Sequence, residues 1–229
     1  MYRDVPFAPV SGYFPKARIP AFQLDCDWTP GTRAKYFRLL KAFKAQIPRP
    51  AHLSHTLRLH QYRYPRQTGL APTDQAVLMF YNMGNLSDSL QNSILNLEVA
   101  RAYLQVPQPY PQPLDVALPL FSWGVVYRNG QVVNLLAGLD ESVCAQNLHF
   151  KLQKEAWFVA RKSHYFRGVY LYKGDRLKIE RIYPDALAQA CQLLRQQLRP
   201  LPSRIIFFHL SPEVVRHFPA ALLREKIQK

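Results

Sequence analysis

The sequence predicts an α/β protein: a partial (β/α)8 TIM-barrel-like domain with about five parallel strands, their helices and one or two β-hairpins. Three observations lead there. Short apolar runs near residues 22, 55, 78, 116 and 206 alternate with stretches of helical periodicity, which is the pattern of βαβ units. One of these runs, Ala76–Met83, is short and continuous, as a strand buried on both faces is, and Leu114–Trp123 reads as another buried strand. Finally, a closed eight-stranded barrel takes about 250 residues. With 229 residues and five such strands, the chain is three units short. It is an open sheet, or the C-terminal part of a barrel.

The elements follow in order. Residues 1–20 are Pro-rich and read as an irregular arm; residues 21–229 are the incomplete barrel domain, with hairpin insertions around 125–182. Phe22–Asp27 is the first strand. Residues two apart in a strand face the same way, so Gln23, Asp25 and Asp27 share one face. Thr29-Pro30-Gly31-Thr32 is a turn, with Thr32 placed as the cap of a helix from Arg33 to Gln46. Pro48 and Pro50 stop that helix. Leu53–Tyr62 alternates with period two and sets Ser54, Thr56, Arg58 and His60 on one face. Ser89–Leu104 reads as a helix. Asn129-Gly130 signals a two-residue hairpin, and Tyr165–Tyr172 with Arg176–Ile182 suggests a second one around Lys173-Gly174-Asp175. Residues 138–160 are mixed and include a helix. Asp185–Leu198 is helical, Arg204–Leu210 a last strand and Glu213–Ile227 a final helix.

Charge and composition restrict the partners. A net charge of +15 and a pI of 9.9 favour nucleic acid, anionic lipid surfaces or acidic polysaccharides over cationic ligands. Arg58, Arg63 and Arg66 lie among Tyr62 and Tyr64, and Arg161, Lys162, Arg167 and Lys173 among further aromatics. No nucleic-acid module pattern accompanies them, so a solvated basic face is the preferred reading over nucleic-acid binding. Cys26, Cys144 and Cys191 form no metal-ligand spacing and no disulfide framework, and no metal or cofactor is expected. No apolar run reaches the length of about 18 residues that spans a membrane. No signal peptide is visible, so the chain as given is expected in the cytoplasm, or in the periplasm or lipid-anchored if a longer natural N-terminus carries a signal. An open sheet edge near Phe22 offers a route to self-association.

Four motifs suggest a family: Phe22-Gln-Leu-Asp25-Cys-Asp27-Trp28-Thr29, Thr56-Leu-Arg58-Leu-His60-Gln61, Leu78-Met-Phe-Tyr81-Asn82-Met-Gly84 and Leu114-Asp115 through Trp123. Together they resemble an uncharacterised bacterial family, often of lipoprotein type, that is similar to glycoside-hydrolase (β/α)8 barrels. More distantly, the Asp-x-Asp-Trp and Met-x-Tyr-Asn strands resemble the fourth and sixth strands of chitinase-type hydrolases. The resemblance implies that this chain is the C-terminal part of such a barrel. The departure is at Thr29, where the chitinase pattern has its acid glutamate; a hydroxyl does not do that work near neutral pH.

The candidate catalytic residues are Asp25 and Asp27, because glycoside hydrolysis uses two carboxyl groups, one protonated and one ionised. The alternative is that they cap the following helix or pair with Arg58. Arg58, His60, Tyr81 and Asn82 are candidate substrate-binding residues at strand ends; core packing or a structural ion pair is the competing reading. Trp28 and Trp123 are candidates for stacking on sugar rings, against ordinary burial. His209 ends the last strand and is a weaker candidate. The functional expectation is a glycoside-hydrolase-like protein acting on or binding a bacterial or environmental polysaccharide, with an acidic glycan favoured by the charge. A non-catalytic glycan binder or degraded enzyme, and a nucleic-acid binder, are the alternatives.

Overall fold

The computed structural model describes residues 19–228. The irregular arm expected over 1–20 therefore lies, apart from its last two residues, outside the described residues.

The first half of the chain builds the parallel layer. It runs β1 (Ala21–Leu24), α1 (Arg33–Gln46), β2 (His52–Arg58), α2 (Leu59–Arg63), α3 (Pro65–Thr68), β3 (Gln75–Met79), α4 (Leu97–Leu104) and β4 (Leu114–Pro119). Strands β1 to β4 pair in sequence and in parallel, with Gln23 beside Ser54, Thr56 beside Val77 and Leu78 beside Val116. β4 is buried along its whole length and β3 along most of its own, which explains why their runs do not alternate; β2 is buried too, its polar Ser54, His55 and Thr56 included.

An inserted layer follows: β5 (Trp123–Arg128), β6 (Gln131–Ala137), α5 (Glu141–Ala145), β7 (Phe150–Lys154), β8 (Trp157–Ala160), β9 (His164–Phe166), β10 (Val169–Leu171) and β11 (Arg176–Glu180). Five of these strands form an antiparallel sheet in the order β6-β5-β11-β8-β7, and β9 and β10 form a separate two-stranded ribbon. The chain then returns through α6 (Pro184–Gln197), β12 (Ile205–Phe208), α7 (Pro212–His217) and α8 (Ala220–Gln228). β12 joins β4 in parallel, so the main sheet has the order β1-β2-β3-β4-β12 and curls into a half-barrel. The α/β fold class, the parallel sheet and the Asn129-Gly130 hairpin are as the sequence predicts. Asn129 and Gly130 both take positive φ, 51° and 79°, the geometry that matches a two-residue turn to strand twist.

Several elements differ in their bounds, each for a local reason. β2 stops at Arg58 and Leu59 starts a helix, where the Arg58 backbone N–H donates to Gln61 Oε1. The helix expected from Ser89 begins only at Leu97. Asn92 Oδ1 accepts from the Ile94 N–H, and Asn96 Oδ1 caps α4 by accepting from Glu98 and Val99, so these side chains compete with helix in the preceding stretch. The second hairpin turns at Arg167-Gly168 rather than at residues 173–175, and β11 pairs with β5 and β8 instead. Asp175 explains the crossing: it accepts two hydrogen bonds from the Arg128 guanidinium, 2.9 and 2.7 Å, and one from the Tyr172 N–H. The final helix is two, α7 and α8, interrupted at Phe218-Pro219.

The two layers keep separate cores. Leu53, Leu57, Leu78, Phe80, Val116 and Leu118 centre the barrel core, and Phe158, Leu139 and Leu177 the inserted one. Polar ties hold the layers together. Glu180, only 2% exposed, accepts from the Ser93 N–H and Oγ, from Trp123 Nε1 and from Lys178 Nζ. Burial raises its pKa, but the hydrogen bonds from Lys178, Ser93 and Trp123 outweigh that and hold it below the usual carboxylate range. At the far side of the barrel sheet, the fully buried Asp115 is paired with Arg204 Nη2 at 2.8 Å, tying β4 to the start of β12.

Candidate functional site

β1 ends at Leu24, so Asp25 and Asp27 sit on the loop that leaves it rather than in the strand. Both are exposed. Asp25 Oδ1 accepts from Thr56 Oγ1 at 2.9 Å, which anchors the loop to β2. Asp27 Oδ1 lies 3.3 Å from Arg58 Nε in an ion pair with both partners half open to solvent. Arg58 Nη2 and Gln61 Nε2 both donate to the Trp28 carbonyl, at 3.2 and 3.4 Å. Because Arg58 ends β2 and Gln61 lies in α2, the loop of the two aspartates is fixed from a neighbouring strand and helix.

A cavity of about 350 Å³ opens at this point, lined by Asp27, Arg58, His60, Tyr81, Asn82 and Tyr103, with Leu59, Met79 and Met83 between them. It lies at the C-terminal ends of β1, β2 and β3, the end at which barrel folds carry their chemistry. Tyr81 stacks on Phe208 with ring centres 5.4 Å apart and meets Phe121 edge-on at 5.8 Å. Burial first, and then the charges of Asp25 and Asp27, push its phenol up to about 12, so it is a hydrogen-bond donor at neutral pH. Burial, with Arg58 adding to it and Asp27 opposing, holds His60 below its ordinary range; the ring is neutral at pH 7. Asn82 turns the chain with a φ of 53° and its N–H bonds to the Ile94 carbonyl at 2.8 Å. Two residues on, a side chain at Gly84 would stand 2.7 Å from the Ser93 Cα, so only glycine permits this approach of the two loop strands.

The structure thus brings Asp27, Arg58, His60, Tyr81 and Asn82 to one cavity, with Asp25 on the same loop. Trp28 is placed elsewhere: it is 3% exposed, stacks on Tyr36 at 5.5 Å and donates Nε1–H to the Thr68 carbonyl. Trp123 starts β5, donates to Glu180 and touches Phe121 rather than the cavity. Thr29 serves its turn: its N–H donates to Thr32 Oγ1 at 2.9 Å, and its carbonyl accepts from the N–H groups of Thr32 and Arg33. The expected cap at Thr32 is consequently not made; its hydroxyl faces Thr29. Sequence reasoning missed Met79, Met83 and Tyr103 as lining residues. The two methionines flank Tyr81 and Asn82, but Tyr103 comes from α4, and only the tertiary packing of that helix brings it in.

Chemically, the cavity offers an acceptor in Asp27, donors in Arg58 and Tyr81, an amide with both roles in Asn82 and apolar ground between. That mixture suits a ligand rich in hydroxyl groups. No group of three His, Cys, Asp or Glu side chains among the described residues is arranged to hold a metal ion. No helix among them is long and apolar enough to cross a membrane.

No protein-family model matches the chain, and no curated protein matches it either, so the likeness to a lipoprotein-type family stays an expectation. Solved structures do match. The spore cortex-lytic enzyme SleL of Bacillus cereus superposes with a TM-score of 0.53 at 17% identity over 95% of this chain and 50% of the enzyme. A chitinase from Chromobacterium violaceum gives 0.56 at 11% identity, over 96% of this chain and 70% of the chitinase. SleL of Bacillus megaterium gives 0.50 at 14% identity, over 90% and 48%. The chain therefore spans half the length of the Bacillus cereus enzyme, and at these identities the likeness establishes the fold alone, represented here by five parallel strands curled into a half-barrel and an inserted antiparallel sheet.

Proposed function

We propose that the chain binds a bacterial or environmental polysaccharide in the cavity of Asp27, Arg58, His60, Tyr81 and Asn82, and that recognition rather than bond cleavage is what these residues perform. The observation that carries the reading is the convergence of those five polar side chains, from three neighbouring strand ends, on one cavity. The fold likeness to a chitinase supports a glycan as the ligand. Against cleavage stands the place after Asp27 where the chitinase pattern has its acid: Thr29 occupies it and is bound into its own turn. Asp27 itself is held in an ion pair with Arg58.

A hydrolytic reading remains as the second, supported by the two carboxylates on one loop, both of whose charges act on Tyr81. In it, Asp27 would protonate the glycosidic oxygen and Asp25 would stabilise the positive charge that develops on the sugar. One experiment separates the two. The chain and its Asp27→Asn variant are tested with neutral and acidic oligosaccharides for heat of binding and for release of reducing ends. The recognition reading expects binding without release. Release by the parent that the Asn variant loses by about a hundredfold or more establishes the hydrolytic one. Absence of binding to every glycan at millimolar concentration overturns both.

A further inference from the structure

A second cleft lies where the inserted sheet meets the barrel, with a volume of about 610 Å³. Its basic side chains come from four separate parts of the chain: Arg167 from the β9–β10 turn, Arg181 after β11, His209 after β12, and Arg216 and His217 from α7. Two of these are already matched. Arg181 pairs with Glu141 at 3.2 Å and His217 lies 3.7 Å from Asp140. Arg167 and Arg216 have no ion pair among the described residues. These are two guanidinium groups on a wall that also carries the Asp140 carboxylate and the hydroxyls of Ser122, Ser142 and Ser211. A guanidinium offers a planar pair of N–H donors that fits the two oxygens of a carboxylate or sulfate.

The cleft is joined to the first cavity by aromatic rings. Phe121 lines the cleft and meets Tyr81, which lines the cavity, at 5.8 Å. Phe121 also stacks on His209, with ring centres 6.5 Å apart. Phe121, itself buried, is thus the ring that connects the residues of the cavity with those of the cleft.

We infer that this cleft is a subsite for an oxyanion carried by the glycan, a carboxylate or a sulfate, with Arg167 and Arg216 as its ligands. The inference rests on the glycan reading of the first cavity and names the class of glycan: an acidic one. It is tested with the full chain by calorimetry at about 0.15 M salt, where long-range charge effects are screened. The probes are a uronic-acid hexamer, a sulfated hexamer without carboxylates and a neutral chitin hexamer. The variants are Arg167→Gln/Arg216→Gln, the same positions changed to Lys, and Lys151→Gln/Lys154→Gln, which removes equal charge from the exposed face of β7.

The Gln pair is expected to weaken binding of an acidic hexamer by about tenfold or more, while the β7 control and the neutral hexamer change by less than about twofold. The Lys pair should fall between, since it keeps the charge and loses the fork. Whichever acidic hexamer responds identifies carboxylate or sulfate as the anion. Equal losses in the cleft and β7 variants would show a general charge effect and overturn the subsite. So would acidic and neutral hexamers that bind alike in the parent, a result that leaves the glycan reading standing. Binding by no hexamer overturns the glycan reading itself.

Discussion

Replacing Glu180 with alanine should destabilise the chain by about 3–5 kcal/mol, because it breaks a buried ion pair and strands its partner. The carboxylate receives Lys178 Nζ at 2.7 Å, the Ser93 N–H at 3.0 Å and Trp123 Nε1 at 3.0 Å, besides the Ser93 hydroxyl. Lys178 is itself buried, and its other partner is the Gln91 carbonyl. Without Glu180, that ammonium keeps one neutral acceptor, and the donors of Ser93 and Trp123 lose theirs. Glu180→Gln retains an oxygen for some of these donors but not the charge, and should cost about 1.5–3 kcal/mol. The decisive variant is Lys178→Met/Glu180→Leu, which removes both charges and should be more stable than Glu180→Ala by about 1 kcal/mol or more. Urea unfolding monitored by tryptophan fluorescence measures all three, with the slope checked for constancy. A double variant no more stable than Glu180→Ala would refute the stranded-charge argument. The effect has a pH signature as well. The folded pKa of Glu180 lies below its unfolded value of 4.5, so its contribution is complete above that pH and is lost as pH falls through the folded value. The cost of Glu180→Ala should shrink accordingly in acid.

Three further outcomes are expected. Burial holds His55 at about 4 against an ordinary 6.5, so the unfolded chain binds a proton first as pH falls. Stability should drop by up to about 3 kcal/mol between those pH values, and urea midpoints of a His55→Gln variant should lack that part of the slope. Arg204→Ala leaves the fully buried Asp115 without its guanidinium and should cost about 3 kcal/mol or more, read as a lowered melting temperature; Arg204→Lys should recover part of it. Gly84→Ala drives a Cβ to within 2.7 Å of the Ser93 backbone, which cannot swing aside. It should cost about 1–3 kcal/mol and weaken glycan binding through the displaced Tyr81–Asn82 segment, measured by unfolding and calorimetry together.

The parallel half of the fold is most legible at β3 and β4, which are buried and marked by apolar runs: Leu78 and Val116 have no solvent face to alternate with. The Asn129-Gly130 turn is equally legible, since few residue pairs tolerate its backbone. The inserted sheet is less so. β7 reads Phe-Lys-Leu-Gln-Lys and is exposed beyond Phe150, and β11 pairs with β5 far back in the sequence, so no local pattern assigns the order β6-β5-β11-β8-β7. Of the candidate residues, Asp27, Arg58 and Tyr81 could be placed together by position at strand ends. Trp28 could not be told from a surface aromatic, because nothing in its neighbours shows that Tyr36 and Thr68 come to cover it. The cleft of Arg167 and Arg216 was hidden for the same reason, as its walls derive from segments about 50 residues apart in the chain.

The Trp28 carbonyl, held at once by Arg58 and Gln61, has a consequence for selectivity. Ordering one backbone residue costs about 1–2 kcal/mol. In the aspartate loop that cost falls on folding, not on ligand capture, because Trp28 is clamped by its carbonyl and by its indole. A ligand that fits the fixed spacing of Asp27 and Arg58 loses little affinity to loop freezing. One that needs either group to move must tear a strand end from a helix start. On the glycan reading, discrimination at this mouth would be by rigid shape, and a loosened variant such as Gln61→Ala should accept a wider range of sugars while holding each less tightly.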